Sequence, residues 1–354
     1  MPLIAFITNI PAPYREPVHE MVSDYFKGEY TVIYCSKLEP NRSWKFDYGN
    51  YNKIFLTENS SGYIHNNPSV WLKLNKLKPK VVITSGYNPT MLYAFIWCML
   101  YGATHICFTD GTLKSEQSLS FLHRLIRKIV FSRTKAFIGP GKGSKALYES
   151  YKIPEEKIFT SHLAVQNSKF KSVALTEKKF SIMFSGQLVD RKMPLFFAKV
   201  ANRIKEKIGT CPVLVLGNGE LKSELIKFLT DHNITYEYPG FIDQTMLPLY
   251  YSKTKVFLFP TKNDPWGIVV NEAMAAGLPV ITCESAGVAN DLVINNVNGY
   301  ILPLDVEVWA DHVIKLLNDL NLYDNFSSKA FSHVQNYNHQ SAANGIIDAV
   351  NFSK

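Results

Sequence analysis

Two carboxylates, Asp264 and Glu272, flank a Pro-Trp-Gly turn in the stretch VFLFPTKNDPWGIVVNEAMAAGLPVI, Val256 to Ile281. Val256 to Phe259 is an apolar run of buried-strand type, Thr261 to Trp266 is a polar turn, and Gly267 to Ala276 has the small residues of a helix packed closely on a sheet. Gly277 ends that helix, and Pro279 to Thr282 is the next buried strand. A helix entered this way directs its free N–H groups and the positive end of its dipole into the turn. That is a place for an anion, most simply a phosphate. Both acids in contact with that anion would repel it. They are instead placed to accept hydrogen bonds from hydroxyls on either side of a diphosphate, which is the pattern a sugar nucleotide offers.

Each acid has a second reading. Asp264, followed by Pro265, has the residue pattern of a helix N-cap. Glu272 could be a solvated helix residue, although a helix reading AMAAG leaves little solvated surface. A further cluster follows the strand Phe180 to Ser185, in the turn GQLVDRK, Gly186 to Lys192. Its glycine permits close approach of a ligand to the backbone, and Arg191 and Lys192 supply charge for a diphosphate. Cations at the start of a helix, here from about Pro194, oppose its dipole unless an anion is present.

The elements that carry these residues alternate β and α. LIAFITN is a strand, followed by the turn NIPAPYR, Asn9 to Arg15, and a helix from about Glu16. Strands follow at Thr31 to Tyr34, Lys80 to Thr84, His105 to Thr109 and Ala136 to Gly139, and in the second half at Phe180 to Ser185 and Val213 to Leu216. The alternation implies mostly parallel sheets with ligands beyond the carboxyl ends of the strands. This nominates Ser85-Gly86-Tyr87 and Asp110-Gly111-Thr112, with Asp110 the best acid of the first half and an Asp-Gly turn as its alternative. No G-x-G-x-x-G follows the first strand, which argues against a nicotinamide dinucleotide. The polar stretch between Val165 and Phe180 reads as a linker, giving domains at 1–170 and 171–335, with a final helical segment 336–354.

Composition narrows the classes. The chain has 354 residues, 46% of them hydrophobic, enough for two domains with separate cores. No apolar run approaches the roughly 20 residues of a membrane helix, and the first residues lack the pattern of a signal peptide, so a cytoplasmic location is expected. The five cysteines show no paired spacing and read as core residues. The net charge of +8 belongs to the first half: through Phe170 there are 21 Lys and Arg against 12 Asp and Glu. That half contains no nucleic-acid module, so anionic lipid or a phosphate-bearing acceptor is the expected partner. In the helix Ser118 to Lys135, Leu119, Leu122, Leu125, Ile126, Ile129 and Val130 form one stripe, opposite Arg124, Arg127, Lys128 and Lys135 with Phe131 among them. An aromatic within a basic face fits a helix lying on an anionic bilayer, peripherally on the inner face of the cytoplasmic membrane. The other reading is a core-packed helix with a solvated charged face.

Asp264, the Gly267 turn and Glu272 before AMAAGLPVI resemble the acid-x7-acid signature of the family 4 retaining glycosyltransferases of bacterial surface-polysaccharide type. The first acid is Asp where that family usually has Glu. Gly186, Leu188 and Lys192 match its G-R-L and Lys element, with Gln187 in place of Arg. Gly217-Asn218-Gly219 with Leu221 is similar to its G-x-G-x-L element, and Pro239-Gly240-Phe241 falls where the family holds the base through backbone contacts. The matches run from Phe180 to Pro303. The resemblance implies an α/β GT-B fold, two Rossmann-like domains facing each other across a cleft, with the last helix crossing back to the first. It places the acceptor, a glycan or lipid-linked glycan, on the first domain, and a nucleoside-diphosphate sugar, by expectation a UDP-sugar, on the second.

By the same resemblance Asp264 touches the donor sugar and Glu272 the ribose. Gly186, Gln187, Gly217, Gly240, Phe241, Gly267, Ile268 and Val269 line the nucleotide site. Arg191 and Lys192 meet the diphosphate, Asp110 is a candidate acid on the acceptor side, and Arg15 sits in the loop that in many bacterial relatives lies across the cleft. The activity implied is hexosyl transfer with retention, in cell-surface polysaccharide or lipopolysaccharide synthesis. No Asp-x-Asp occurs, so neither a metal nor any cofactor beyond the donor is inferred. The alternatives are a GT-B sugar-nucleotide epimerase or hydrolase, and a non-catalytic glycan-binding subunit.

Overall fold

The computed structural model describes residues 3–39, 48–60, 62, 64–117 and 119–354. The chain divides into two compact units, Met1–Ala164 with His339–Lys354, and Val165–Asn338.

Among the described residues the first unit carries seven strands: β1 Ile4–Thr8, β2 Tyr30–Tyr34, β3 Asn52–Phe55, β4 Val81–Ser85, β5 Thr104–Phe108, β6 Ala136–Gly139 and β7 Ile158–Thr160. All pair parallel, in the order β3-β2-β1-β4-β5-β6-β7. The central strands are apolar on both faces because helices cover both. On one side the helices Glu16–Tyr25 and His339–Phe352 pack Val18, Val22, Ile346 and Val350 against Ile4 and Phe6. On the other lie Val70–Leu77, Pro89–Tyr101, Phe121–Ser132 and Lys142–Ser150. The short strands β3 and β7 escape a periodicity reading because their residues are at most partly buried.

The second unit carries β8 Phe180–Ser185, β9 Val213–Leu216, β10 Tyr236–Gly240, β11 Thr254–Phe259, β12 Val280–Thr282 and β13 Gly299–Ile301. These too are parallel, in the order β10-β9-β8-β11-β12-β13. Its core joins Ile182, Val215 and Leu258 to Phe197, Ala201 and Trp309 from the flanking helices.

Three expectations are corrected here. The stretch from Val165 to Phe180 is packed structure of the second unit rather than a linker. The Asn167 amide donates to Val334 O (3.0 Å) and Tyr337 O (3.4 Å), and Lys178 Nζ donates to Tyr323 Oη (3.0 Å), with burial pulling that ammonium down to about 8. The divisions therefore fall after Ala164 and after Asn338, rather than after residues 170 and 335.

The basic-aromatic helix, for which Ser118 lies outside the described residues, runs Phe121–Ser132 and is turned the other way. Phe131 is buried among the rings of Tyr151, Phe137 and Tyr148, at centroid distances of 4.9, 5.3 and 5.6 Å. Leu122, Leu125 and Ile129 are exposed instead. An aromatic pocket for one ring and a buried Glu116 that neutralises Arg127 set the inward face, against the apolar periodicity. Finally, Tyr87 leaves the loop at the end of β4 and turns inward, its hydroxyl 3.1 Å from Cys107 Sγ and Arg127 stacked 4.5 Å over its ring.

Candidate functional site

In each sheet the strand order reverses once, and loops leaving neighbouring strands diverge there to open a crevice. In the second unit the reversal lies between β8 and β11. The loop after β8 contains Gly186, Gln187, Arg191 and Lys192; the loop after β11 contains Asp264. The two are joined along their backbones: Thr261 Oγ1 donates to Arg191 O (3.0 Å), as does Lys262 N (2.9 Å). Across the same junction Asp264 Oδ2 accepts from Arg191 Nη1 (3.1 Å) and from Lys192 Nζ. Lys192 and Asp264 are both largely buried, whereas Arg191 is 45% exposed. Lys192 also lies 5.0 Å over the Phe259 ring.

This geometry revises two local readings. Asp264 does not cap the helix, which begins at Ile268 with Gly267 at φ 103° as its N-cap. A Cβ at Gly267 would lie 2.5 Å from the Phe259 ring, so the turn needs glycine for space as well as for conformation. Asp264 Oδ1 instead accepts from Trp266 N (3.1 Å), an Asx turn that holds the carboxylate in the crevice. Arg191 and Lys192 form a 3-10 turn ahead of the helix Pro194–Ile208, and the anion beside them is Asp264.

Glu272 is buried on the helix Ile268–Ala275, so the solvated reading does not hold. Its Oε2 accepts from Tyr251 Oη at 2.7 Å, and burial raises the carboxyl to about 7, with the tyrosine hydrogen bond opposing the rise. Ile268 and Val269 form the first turn, and Tyr251 Oη also lies 3.4 Å from Val269 O. Tyr251, which fixes Glu272, was not singled out in the sequence; the tyrosine pair at 250–251 gives no signal for it.

Gly217 belongs to a structural contact between the turns after β8 and β9. Its φ is 125°, and a Cβ there would lie 1.8 Å from Gly186 O. Leu188 N donates to Asn218 O (2.9 Å) and Leu221 N to Leu188 O (2.9 Å), so the G-x-G-x-L element braces the G-x-L turn. One strand further out, Gly240 O accepts from Gly217 N (2.8 Å), and Phe241 is exposed beyond it.

In the first unit the reversal lies between β1 and β4. A cavity of about 300 Å³ opens there, lined by Thr8, Asn9, Arg15, Ser85, Gly86 and Asp110 among others. The loops are tied by neutral contacts, Ser85 Oγ to Thr8 Oγ1 and Asn88 Nδ2 to Asn9 Oδ1, both 2.8 Å. Arg15 is half-buried, donates to Ser161 Oγ (3.1 Å) and His162 O (3.3 Å), and lies 4.9 Å over the Phe108 ring. Desolvation pulls its pKa down and the Asp110 charge opposes this. Asp110 is exposed at the cavity margin. His19, also lining it, is held to about 3 by burial and so is neutral. Glu39, paired with His65 at 2.9 Å, reaches the same cavity and went unnoticed in the sequence, where nothing marks so distant a residue.

Residues 165–333 match the family model described as glycosyl transferases group 1. The chain is 25% identical over 247 residues to the capsular polysaccharide biosynthesis glycosyltransferase CapM of Staphylococcus aureus, a match covering 68% of this chain and 61% of that protein. Over 162 residues it is 27% identical to the UDP-Gal:alpha-D-GlcNAc-diphosphoundecaprenol alpha-1,3-galactosyltransferase of Escherichia coli, covering 44% and 42%. It spans about half the length of the curated relatives it matches. In structure it resembles Anabaena HepE solved in complex with UDP and glucose, with a TM-score of 0.76 at 13% identity, over 99% of this chain and 100% of that one. The fold is therefore GT-B, built from two all-parallel Rossmann-like units.

Proposed function

We propose that the chain is a retaining, metal-independent glycosyltransferase of family 4 type, moving a hexosyl group from a UDP-sugar to a hydroxyl of a glycan or lipid-linked glycan in cell-surface polysaccharide synthesis, including that of lipopolysaccharide. The observation that carries this reading is the junction of Arg191, Lys192 and Asp264 at the strand reversal of the second unit, beside the N-terminus of the helix Ile268–Ala275. Two cations sharing the one Asp264 carboxylate leave a net positive charge beside the first N–H groups of the helix, a protein counterpart for a leaving diphosphate without a metal ion. The relatives named above support the donor and acceptor classes: HepE was solved with UDP, and the E. coli enzyme is named for UDP-Gal and a diphosphoundecaprenol acceptor.

In this reading the bond from the anomeric carbon to the β-phosphate oxygen breaks while the acceptor oxygen bonds to that carbon on the same face. The acceptor proton passes to the departing phosphate. Asp264 orients the donor sugar, Glu272 accepts from the ribose hydroxyls, and Gly186, Gln187, Gly217, Gly240, Phe241, Gly267, Ile268 and Val269 shape the nucleotide site. Arg15 and Asp110 serve the acceptor at the first unit's cavity. A helix dipole contributes about 0.3–2 kcal/mol of the roughly 8–23 kcal/mol that enzymes supply, so the cations and positioning provide most of the rest.

The test is thermal-shift titration of the full chain with UDP, GDP and ADP and their sugars, with and without Mg²⁺ or EDTA, followed by product analysis with and without acceptor. A rise with one nucleoside diphosphate, indifferent to EDTA and abolished in Lys192→Ala, is expected. No response to any nucleotide sinks the donor site. Turnover that needs no acceptor points to an epimerase or hydrolase, and binding without turnover to a non-catalytic subunit.

A further inference from the structure

The excess of positive charge in the first unit lies in one stretch. Between Asn59 and Tyr148 the chain has twelve Lys and Arg and only two acids, Asp110 and Glu116. Glu116 is buried against Arg127, and Asp110 stands at the cavity margin. The helices Pro89–Tyr101 and Phe121–Ser132 lie within this stretch and contain no acidic residue. They share one buried cluster, Phe95 with Val130 and Phe131, so they sit on the same side of the sheet. Outside that cluster both helices expose large apolar side chains. Phe121, Leu122 and Ile129 are 77%, 62% and 53% exposed, and Leu125 is exposed beside them. Ile96, Met99 and Leu100 of the other helix are exposed too. Arg124 and Lys128 are exposed among the apolar residues of the second helix, and Arg133 is exposed just past its end.

We propose that this outer face docks on an anionic lipid bilayer, with Phe121, Leu122, Leu125 and Ile129 entering the acyl boundary and Arg124, Lys128 and Arg133 meeting lipid phosphates. A solvated helix has no use for four large apolar side chains in contact with water, and apolar groups interleaved with cations match the boundary between acyl chains and anionic headgroups. A second copy of the chain fits less well. A two-fold contact sets a patch against itself, which would bring Arg124 and Lys128 against cations with no acid on either helix to neutralise them.

The test is flotation of the full chain with vesicles of phosphatidylethanolamine and phosphatidylglycerol, against vesicles of phosphatidylcholine alone. The wild type is compared with the double variants Leu122→Asp/Leu125→Asp and Arg124→Glu/Lys128→Glu, whose melting temperatures and nucleotide responses are measured in parallel. The expected result is binding to the anionic vesicles, weakened roughly tenfold or more on the neutral ones and in either variant. Melting temperatures and nucleotide responses stay unchanged, which separates this proposal from the donor site. No binding, equal binding to both vesicles, or variants that bind like the wild type overturns it. So does a wild-type dimer in light scattering that Leu122→Asp/Leu125→Asp dissociates, because a second copy would then own the face.

Discussion

At the reversal between β8 and β11 the loops are joined by Arg191 and Lys192 on Asp264, while at the reversal between β1 and β4 they are joined by Ser85 on Thr8 and Asn88 on Asn9. The same topology thus holds a charged junction in one unit and a neutral one beside an open cavity in the other. A largely buried cation is costly without a partner, and a carboxylate or phosphate is the partner that best offsets its charge. The neutral junction borders a cavity where Arg15, Asp110 and Glu39 stand beside hydroxyls and an amide, a mixed lining that can return the hydrogen bonds of hydroxyl-rich groups. The contrast agrees with the proposed function, in which the diphosphate lies on the second unit and the acceptor on the first.

The contrast breaks most sharply at Lys192. Lys192→Ala should lower turnover about a thousandfold and abolish the nucleotide thermal shift while leaving the acceptor KM unchanged. A variant that raises only the acceptor KM would reverse the assignment. Glu272→Gln should weaken nucleoside diphosphate binding about tenfold to a hundredfold by removing a charged acceptor for ribose hydroxyls, measured by calorimetry.

The same substitution carries a stability signature of opposite sign. The Glu272 carboxyl is held at about 7, above its unfolded value, so the folded chain binds more protons between about pH 4.5 and 7. Stability from this group therefore falls as pH rises through that window, by about 3 kcal/mol in total. Urea unfolding at pH 4 and pH 8 should show Glu272→Gln equal to the wild type at the lower pH and more stable at the higher. Equal stability at both would mean that Glu272 is not the titrating group. In the proposed function ribose hydroxyls favour the ionised carboxylate, so nucleotide affinity of the wild type should rise from pH 6 to 8.

Smaller effects are expected in the first unit. Arg15→Ala should raise the acceptor KM about tenfold, the worth of a charge-assisted contact, and leave the UDP dissociation constant unchanged. Asp110→Asn, at an exposed position, should change the acceptor KM by about threefold or less. If Arg15→Ala instead weakened UDP, the neutral junction would have a share in the donor site and the comparison would blur.

Much of the second unit was legible because its strands and its candidate site residues sit in local signals. Phe180–Ser185 and Val213–Leu216 form as read, Asp264, the glycines and the cations fall in the turns that follow strands, and Glu272 lies on the helix that comes next. What misled was local too. Asp264 before Pro265 reads as a cap, yet Gly267 delays the helix until Ile268. In the helix Phe121–Ser132, periodicity pointed the leucines inward, because the strongest apolar stripe is ordinarily the buried one. The ring cluster around Phe131 and the ion pair of Arg127 with Glu116 come from segments distant in the chain and are invisible to periodicity.

The sequence by itself determined the alternation of strand and helix, the parallel sheets, and which turns carry glycine, acid and cation, since each depends on neighbours a few residues away. Only the tertiary structure decided that Lys192 and Arg191 share the Asp264 carboxylate, that Tyr251 holds Glu272, and that Arg15 is clamped by Ser161 and His162. Those pairings join residues 21 to 147 positions apart, from 21 for Tyr251 with Glu272 to 147 for Arg15 with His162. Strand order, which no local pattern encodes, brings them within hydrogen-bonding reach.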